Sequence, residues 1–246
     1  MTKDVWNKFR KTREQFRLTA EDLSKSLPKL KTIQQQFVNL RSDGGIYKIE
    51  TPVVYNTALD DITINDEIKL ILVADNPGRR EQASENRRYL VGPSGKIADK
   101  FFNNNPILGI NFKKNVMILN KTPIHSPRTA ELRKLCNMET GTSILTALEK
   151  SQRAMASLLF TFHEALACPV WITGYSEMRK NGIFEVFTNT LKDLYLNNDL
   201  FKNVFVYRHF SMNQFTIDLK QQSLPGENII KSLERIGTAY KQKILV

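Results

Sequence analysis

Residues 68–74 read IKLILVA, an almost unbroken apolar run of the length of one strand. Runs without polar alternation are typical of strands that are buried on both faces of a sheet. Three more runs of this kind follow along the chain: NVMILN at 115–120, CPVWIT at 168–173 and NVFVYR at 203–208. Helix-like stretches separate the runs, for example at 96–102, 142–166 and 183–196. This alternation predicts an α/β fold, a three-layer αβα sandwich around a central four-stranded parallel sheet.

The first 42 residues have a different pattern, because apolar side chains recur there at steps of three and four residues, which predicts helices. The apolar positions are Leu23, Leu27, Leu30, Ile33, Phe37 and Leu40. Ser42, Asp43, Gly44 and Gly45 then predict a stop and a turn. Since the chain has no internal repeat and no low-complexity linker, we expect an N-terminal helical extension at 1–50 and one α/β domain at 51–246.

The composition excludes several classes of protein. The chain has 246 residues, a formal net charge of +11 and two cysteines, Cys136 and Cys168. Two cysteines cannot form a four-cysteine zinc or iron–sulfur site, and a chain of this length folds without either, so we expect no metal and no cofactor. Residues 1–16 contain no apolar signal-peptide core, and no run approaches the ~18 apolar residues of a membrane helix. These features predict a cytoplasmic protein without membrane contact.

The excess positive charge is concentrated in one part of the sequence. Residues 77–135 hold 12 basic and 4 acidic side chains, whereas the net charge of residues 1–65 is +3 and the rest of the chain is neutral. The basic side chains are Arg79, Arg80, Arg87, Arg88, Lys96, Lys100, Lys113, Lys114, Lys121, Arg128, Arg133 and Lys134. This concentration favours a surface that binds phosphate groups, although a solvated basic face without a ligand has the same composition.

Polar side chains follow the predicted strands at the points where they end. Asp75 and Asn76 come after the first run, Asn120 closes the second and His209 follows the fourth. Any one of them alone is more typical of a turn, a cap or a core residue. Because parallel strands end at one edge of a sheet, where ligands bind in α/β folds, their coincidence predicts a shared site. His125 and His163, by contrast, have no such setting and are interpreted as surface or core histidines.

Four blocks, in this order, resemble the motifs of the uracil-DNA glycosylase superfamily. They are VADNPG at 73–78, YLVGPSG at 89–95, VMILN at 116–120 and VYRHFSM at 206–212. The family's first motif reads GEAPG, GINPG or GMNPG in different branches, its second is similar to PFVGxAG, and its last contains HPS. Here Ala74 replaces the opening glycine, Leu90 replaces a phenylalanine that stacks on the base, and Phe210 replaces the proline of HPS. The two cysteines do not suffice for the iron–sulfur branch.

The resemblance implies a monomeric DNA glycosylase of base excision repair, which flips uracil or another deaminated base out of DNA and hydrolyses its N-glycosidic bond without a metal. Among the implied catalytic residues, Asn76 would orient the attacking water, Asp75 is the second candidate for that task, and His209 would donate a hydrogen bond to O2 of the leaving base. The implied base-binding residues are Asn120, Tyr89, Leu90, Pro77 and Gly78. The implied DNA-binding residues are Gly92, Ser94, Gly95, Lys96, Arg79, Arg80, Lys121, Ser211 and Met212, the last as an apolar wedge.

Two alternatives stay open at this point. One is a non-catalytic member of the superfamily that binds DNA or damaged bases, and the other is an unrelated α/β enzyme that acts on nucleotides or nucleosides. Residues 92–96, GPSGK, are similar to a phosphate-binding P-loop, but the spacing is too short. Ile97 also stands where a P-loop has the serine or threonine that binds magnesium.

Overall fold

The computed structural model describes residues 1–41, 45–138 and 143–246, and within these ranges its centre is a four-stranded, all-parallel sheet in the order β2-β1-β3-β4. The strands are β1 (Leu70–Ala74), β2 (Val116–Asn120), β3 (Val170–Thr173) and β4 (Val204–Tyr207). Each strand lies inside one of the four apolar runs, so the predicted fold class is confirmed. Ala74 pairs with Asn120 at the ends of β1 and β2, and Thr173 pairs with Tyr207 at the ends of β3 and β4. The four carboxyl ends therefore meet at one edge.

Helices surround this sheet. Those in the described ranges are α1 (Lys3–Ser26), α2 (Leu30–Asn39), α3 (Pro93–Asn104), α4 (Phe112–Asn115), α5 (Thr129–Cys136), α6 (Ser143–Leu166), α7 (Glu185–Tyr195), α8 (Gln214–Gln222) and α9 (Ile229–Leu245). The helices predicted at 96–102, 142–166 and 183–196 correspond to α3, α6 and α7, although Thr142 lies outside the described residues. The helices that follow β4 were not predicted.

Aromatic packing shows how helices cover one face of the sheet. The Trp171 ring of β3 stacks on Phe102 of α3 and on Phe215 of α8, with ring centroids 5.5 and 5.9 Å apart. Because side chains alternate along a strand, Val170 and Ile172 point to the opposite face, and both are fully buried. On the far side of the core, α6 contacts β2 and packs against both α1 and α7. The sheet is therefore the middle layer of a sandwich.

The N-terminal helices share this core. Phe9 of α1 packs against Phe162 of α6, with ring centroids 5.3 Å apart, and Phe16 lies 5.1 Å from the Tyr55 ring. Pro28 follows the end of α1, where its missing N–H cannot continue the helix. The predicted turn falls at Ser42, Asp43 and Gly44, which lie outside the described residues, and the domain boundary at residue 50 stays a prediction.

Candidate active site

A cleft of about 750 Å³ opens at the carboxyl edge of the sheet. Its walls come from the segments that follow β1, β3 and β4, from the loop before α5 and from the start of α3. The lining residues include the three predicted catalytic residues Asp75, Asn76 and His209. Residues that are 134 positions apart in the sequence, from Asp75 to His209, therefore meet in one cavity.

Hydrogen bonds fix the orientation of the Asn76 amide. Its Nδ2 donates to Oγ of Ser126 over 3.0 Å and to the Ser126 carbonyl over 3.2 Å. The Ser126 hydroxyl donates its own proton to the Arg128 carbonyl over 2.8 Å, so it can only accept from Asn76. A flipped amide would face these acceptors with its oxygen, which is unfavourable. Asn76 therefore retains Oδ1 as an acceptor for a group in the cleft.

The tautomer of His209 is set by the backbone that follows it. The Ser211 N–H donates to Nδ1 of His209 over 3.0 Å, so the ring proton belongs on Nε2. Burial lowers the pKa of His209 from its ordinary value; the Asp75 charge opposes this shift and the Lys121 charge adds to it. The imidazole is thus neutral at pH 7, and its Nε2–H is the donor that it can offer to a ligand.

Asp75 is nearly buried, and both of its carboxylate oxygens are engaged. Oδ1 accepts from Nζ of Lys121 over 2.6 Å, and Oδ2 accepts from the Thr129 hydroxyl over 3.1 Å. The carboxylate also lies against Gly174, where an added Cβ would stand 2.1 Å from Oδ1. Gly174 has φ +91°, so glycine is required there both by the backbone and by the space. Because of these contacts, Asp75 is less available to a ligand than Asn76.

Asn120 lies at the end of β2 with 1% of its surface exposed. It pairs with Ala74, a residue that lines the cleft, but it does not itself line the cleft. Neither Nδ2 nor Oδ1 of Asn120 has a hydrogen-bond partner among the described residues, so the amide does not cap the strand end. Leaving a buried amide unpaired costs about 1–3 kcal/mol per group. Unpaired amides of this kind are exceptions, since most buried polar side chains in folded proteins have a hydrogen-bond partner.

Tyr89, predicted to bind the base, does not line the cleft. Tyr89 is buried, and its hydroxyl donates to the Val54 carbonyl over 2.6 Å, because that bond satisfies the phenol inside the core. Leu90 lines the cleft in its place, with φ +53°, a left-handed conformation that is strained for leucine. No Phe, Tyr or Trp occurs among the described residues that line the cleft. A flipped base would therefore meet an aliphatic wall.

Several residues that were predicted to bind phosphate or the base already contact other residues of the protein. The Gly78 N–H donates to the Glu81 carboxylate over 3.1 Å, and Pro77 is buried outside the cleft lining, with its carbonyl accepting from Nδ1–H of His125 over 2.7 Å. Gly95 is buried inside α3, where an added Cβ would overlap the Leu90 carbonyl at 1.4 Å. Gly78 nevertheless lines the cleft, whereas Pro77 and Gly95 do not, and contacts of these three residues with a ligand stay predictions.

Gly92 and Ser94 do line the cleft, as predicted for phosphate contact, at the first turn of α3. This helix has 12 residues, and its Ncap residue, Gly92, makes no side-chain capping bond. The amide groups of the first turn are thus available to an anion, which the helix dipole favours. Lys96 is exposed on the same helix but does not line the cleft.

The predicted basic surface is divided. Arg79, Arg80 and Arg128 are exposed and line the cleft, and Arg208, outside the basic segment, joins them. Lys121, predicted to contact DNA, is instead completely buried against Asp75. Lys113 and Lys114 belong to α4, which precedes β2, and therefore lie at the amino edge of the sheet.

The loop after β4 places Met212 at the mouth of the cleft. Met212 is 80% exposed and has φ +49°, so an apolar side chain is presented to solvent on a strained backbone. Phe210 holds this loop, because its ring stacks on Phe215 with centroids 4.3 Å apart and it is fully buried. Ser211 and Met212 both line the cleft, where the resemblance places contacts to DNA.

Two carboxylates of the cleft were missed. Glu81 is buried, and its two oxygens accept from the backbone N–H groups of Gly78 and Leu90, at 3.1 and 2.9 Å. Burial raises the pKa of Glu81 to about 7. Glu177, which follows β3, also lines the cleft. Neither follows its strand immediately, and neither carries a motif that could have identified it. His125 and His163 are both fully buried core residues, as interpreted.

The chain matches no protein-family model and no curated protein sequence. In the part of the chain that the structure describes, no helix is long and apolar enough to cross a membrane. The same part contains no group of three or more His, Cys, Asp or Glu side chains that could hold a metal ion. The residues of the cleft therefore provide the basis for assigning a function.

Proposed function

We propose that this chain is a monomeric, cytoplasmic member of the uracil-DNA glycosylase superfamily that hydrolyses the N-glycosidic bond of uracil or another deaminated base in DNA. The observation that carries the proposal is the meeting of three groups at the carboxyl edge. They are the Nε2–H donor of His209, the Oδ1 acceptor of Asn76 and, beside the cleft, the unpaired amide of Asn120. Each has the chemistry that one step of base release needs.

Recognition of the base is assigned to Asn120. Its amide offers one acceptor and two donors in a plane, which can match the O4 and N3–H edge of uracil. A flipped base would bring those partners to an amide that has none among the described residues, and because Asn120 is 1% exposed beside the cleft, residues between them must move as the base enters. A base with the wrong pattern would leave buried groups unpaired and be rejected.

Departure of the base is assigned to His209. Cleavage of the bond leaves an oxocarbenium-like sugar, as in glycoside hydrolysis, and negative charge on O2 of the base. The fixed Nε2–H of a neutral imidazole can donate to that oxygen, with a bond that strengthens as the charge develops. The contact from the Ser211 N–H to Nδ1 holds the ring in this tautomer, so no reorganisation is needed during the reaction.

The attacking water is assigned to Asn76. Oδ1 can accept a hydrogen bond from water and hold it towards the sugar, while Ser126 holds the other end of the amide. An amide cannot take the proton of the water, which passes to the departing base anion or to solvent, but the electrophile is already cationic, so positioning alone provides acceleration. We expect slower chemistry than in a site with a free carboxylate at this position.

Phosphate contacts are assigned to the rim of the cleft. Arg79, Arg80, Arg128 and Arg208 line it, and the first turn of α3 at Ser94 adds amide donors. Such contacts hold the backbone of DNA without reading its sequence. Filling the gap that a flipped base leaves in the stack is assigned to Met212, which is 80% exposed beside them.

A second candidate function is binding of a damaged base without cleavage. The observation that favours it is Leu90, which gives the cleft an aliphatic wall where an aromatic ring would add about 1–3 kcal/mol of stacking per base. The engagement of both Asp75 oxygens points the same way, since that carboxylate is not available as a base.

One assay distinguishes the two candidates. Oligonucleotides that carry uracil, hypoxanthine or xanthine, as single strands, pairs and mismatches, are incubated with the protein and then cleaved with alkali. Alkali-dependent breaks that disappear in both Asn76→Ala and His209→Ala support the glycosylase. Binding with a steep salt dependence and no release of base supports the binding protein. If the protein neither binds these oligonucleotides nor releases a base from them, both candidate functions are contradicted.

A further inference from the structure

The cleft is supported by a buried ion pair whose two members are sequence neighbours of the two candidate amides. Asp75 immediately precedes Asn76, and Lys121 immediately follows Asn120. We propose that Asp75 and Lys121 are a positioning pair, which holds Asn76 and Asn120 in register and balances the charge at His209, and that neither residue contacts the DNA. The roles of the amides and the histidine rest on the proposed function, whereas the pair itself is a property of the fold.

The pair joins the ends of three strands. The ammonium group of Lys121, at the end of β2, donates to Oδ1 of Asp75 after β1 over 2.6 Å and to the Thr173 carbonyl at the end of β3. The Lys121 side chain is completely buried, and its Nζ lies 5.0 Å from the centre of the Phe184 ring. It cannot reach a phosphate without leaving these contacts, so its charge serves the interior of the site.

The backbone strengthens the connection. The Lys121 N–H donates to the carbonyls of Ala74 and Asp75, at 3.1 and 3.0 Å. Thr129 holds the second oxygen of the Asp75 carboxylate, and Gly174 leaves the space that the carboxylate occupies. Asn76 and Asn120 therefore each lie next to a residue of the buried ion pair, whose hydrogen bonds fix the backbone at that point. A shift of about 1 Å at such a position can lower a rate 100-fold.

The pair also sets the electrostatic surroundings of His209. Asp75 raises and Lys121 lowers the pKa of that imidazole, so the two charges oppose each other while burial keeps the ring neutral. The other charged groups that line the cleft are Arg79, Arg80, Glu81, Arg128, Glu177 and Arg208. Loss of Lys121 alone would leave Asp75 uncompensated and raise the pKa of His209, whereas loss of Asp75 alone would lower it.

The test compares Lys121→Met, Asp75→Asn and the double variant with Lys202→Met as the matched control. Lys202 is exposed in the segment Asp199–Asn203 before β4, at the opposite edge of the sheet, and its substitution should change nothing. The double variant leaves no unpaired buried charge, which keeps the test decisive even where a single variant does not fold. Dispersed amide NMR spectra establish that each variant is folded.

Two readouts do not depend on base release. NMR titration should give a raised pKa for His209 in Lys121→Met, a lowered one in Asp75→Asn and a value near that of the wild type in the double variant. His125 and His163 serve as internal references. The side-chain amide signals of Asn76 and Asn120 should shift in all three variants. A His209 titration that is unchanged in both single variants, or amide signals that are unchanged in all three, would overturn the positioning pair.

The third readout is turnover of a uracil-containing oligonucleotide. We expect kcat to fall by about 10- to 100-fold with KM nearly unchanged, and to stay low in the double variant, because Asn and Met cannot restore the cross-link. Full recovery of kcat in the double variant would reduce the pair to a source of stability and overturn the inference. A wild-type protein that releases no base would contradict the proposed function, while the NMR readouts would still decide the inference.

Discussion

The two edges of the sheet carry basic residues from the same part of the sequence, but their surroundings differ. At the carboxyl edge, Arg79, Arg80 and Arg128 are exposed around a cleft of about 750 Å³. Two of the carboxylates there, Asp75 and Glu81, are buried and accept hydrogen bonds from the fold, so they do little to neutralise the rim. This edge presents positive charge to a ligand.

At the amino edge, acidic side chains oppose the basic ones. A second cleft of about 480 Å³ is lined by Lys113, Lys114 and the start of β2, together with Asp61, Asp66 and Glu67. Lys113 lies 3.4 Å from the Asp99 carboxylate, and Arg88 lies 2.7 Å from that of Asp61. Charge counted along the sequence therefore does not locate an anion-binding surface, because the placement of the carboxylates decides which edge stays positive.

The largest difference between the edges is expected from His209→Ala. Removal of the Nε2–H donor should lower kcat for uracil release by about 100- to 1,000-fold, since that donor acts on the charge that develops in the transition state. Lys113→Ala at the amino edge is the control and should retain full activity. Single-turnover kinetics at saturating protein measure both. Equal activity of His209→Ala and the wild type would remove the carboxyl edge from the chemistry.

The second largest difference between the two edges is expected in the affinity for DNA. We expect the double variant Arg79→Ala/Arg80→Ala to bind DNA at least about tenfold more weakly and to lower the salt slope by about 1 for each lost phosphate contact. The double variant Lys113→Ala/Lys114→Ala removes the same charge from the amino edge and should bind as the wild type does. Fluorescence anisotropy at several salt concentrations gives both slopes. If the two double variants weaken binding equally, the attraction is spread over the whole surface.

The pH dependence of stability gives a third contrast. The pKa of Glu81 is raised by burial from 4.5 to about 7, so its stabilising contribution is fully present below pH 4.5 and is lost as the pH rises through 7. The wild type should lose about 2 kcal/mol of unfolding free energy from this group between pH 5 and pH 8. Glu81→Gln should remove that dependence, whereas Glu67→Gln at the exposed amino edge should keep it. Urea unfolding at the two pH values tests this, and parallel curves for the wild type and Glu81→Gln would refute it.

The smallest effect is expected from the exposed apolar side chains of the two edges. Met212→Ala should lower activity on paired uracil a few-fold and leave single-stranded substrate unaffected, because only a duplex has a stack to fill. Ile107→Ala removes a side chain that is 67% exposed between α3 and α4 and should change neither rate. Stability should change by less than about 0.5 kcal/mol in both variants. A loss of activity on single strands would assign Met212 to base contact instead.

The sequence predicted the strands and the edge of the site because these depend on local pattern. The apolar runs end at Ala74 and Asn120 in the structure as in the sequence, and Asn76 and His209 follow strand ends that converge. Such features need no knowledge of distant contacts.

The residues whose positions differ from expectation, or that were missed, are held by long-range contacts. Lys121 has the appearance of a loop lysine, but its partner Asp75 lies 46 residues earlier, and only the pairing of β1 with β2 brings them together. The Tyr89 side chain lies in the core and not in the cleft, because its hydroxyl donates to the carbonyl of Val54, 35 residues away. As a charged residue, Glu81 is expected at the surface, but its carboxylate is buried because the backbone N–H groups of Gly78 and Leu90 donate to it.

The central claim is that the carboxyl edge releases a base from DNA. Its most direct test is the quantification of free uracil by mass spectrometry after incubation of a uracil-containing oligonucleotide with excess wild-type protein, Asn76→Ala or His209→Ala. The wild type should release uracil in proportion to the substrate, and both variants should release at least about 100 times less per unit time. No free uracil from the wild type, or equal amounts from all three proteins, would contradict this assignment.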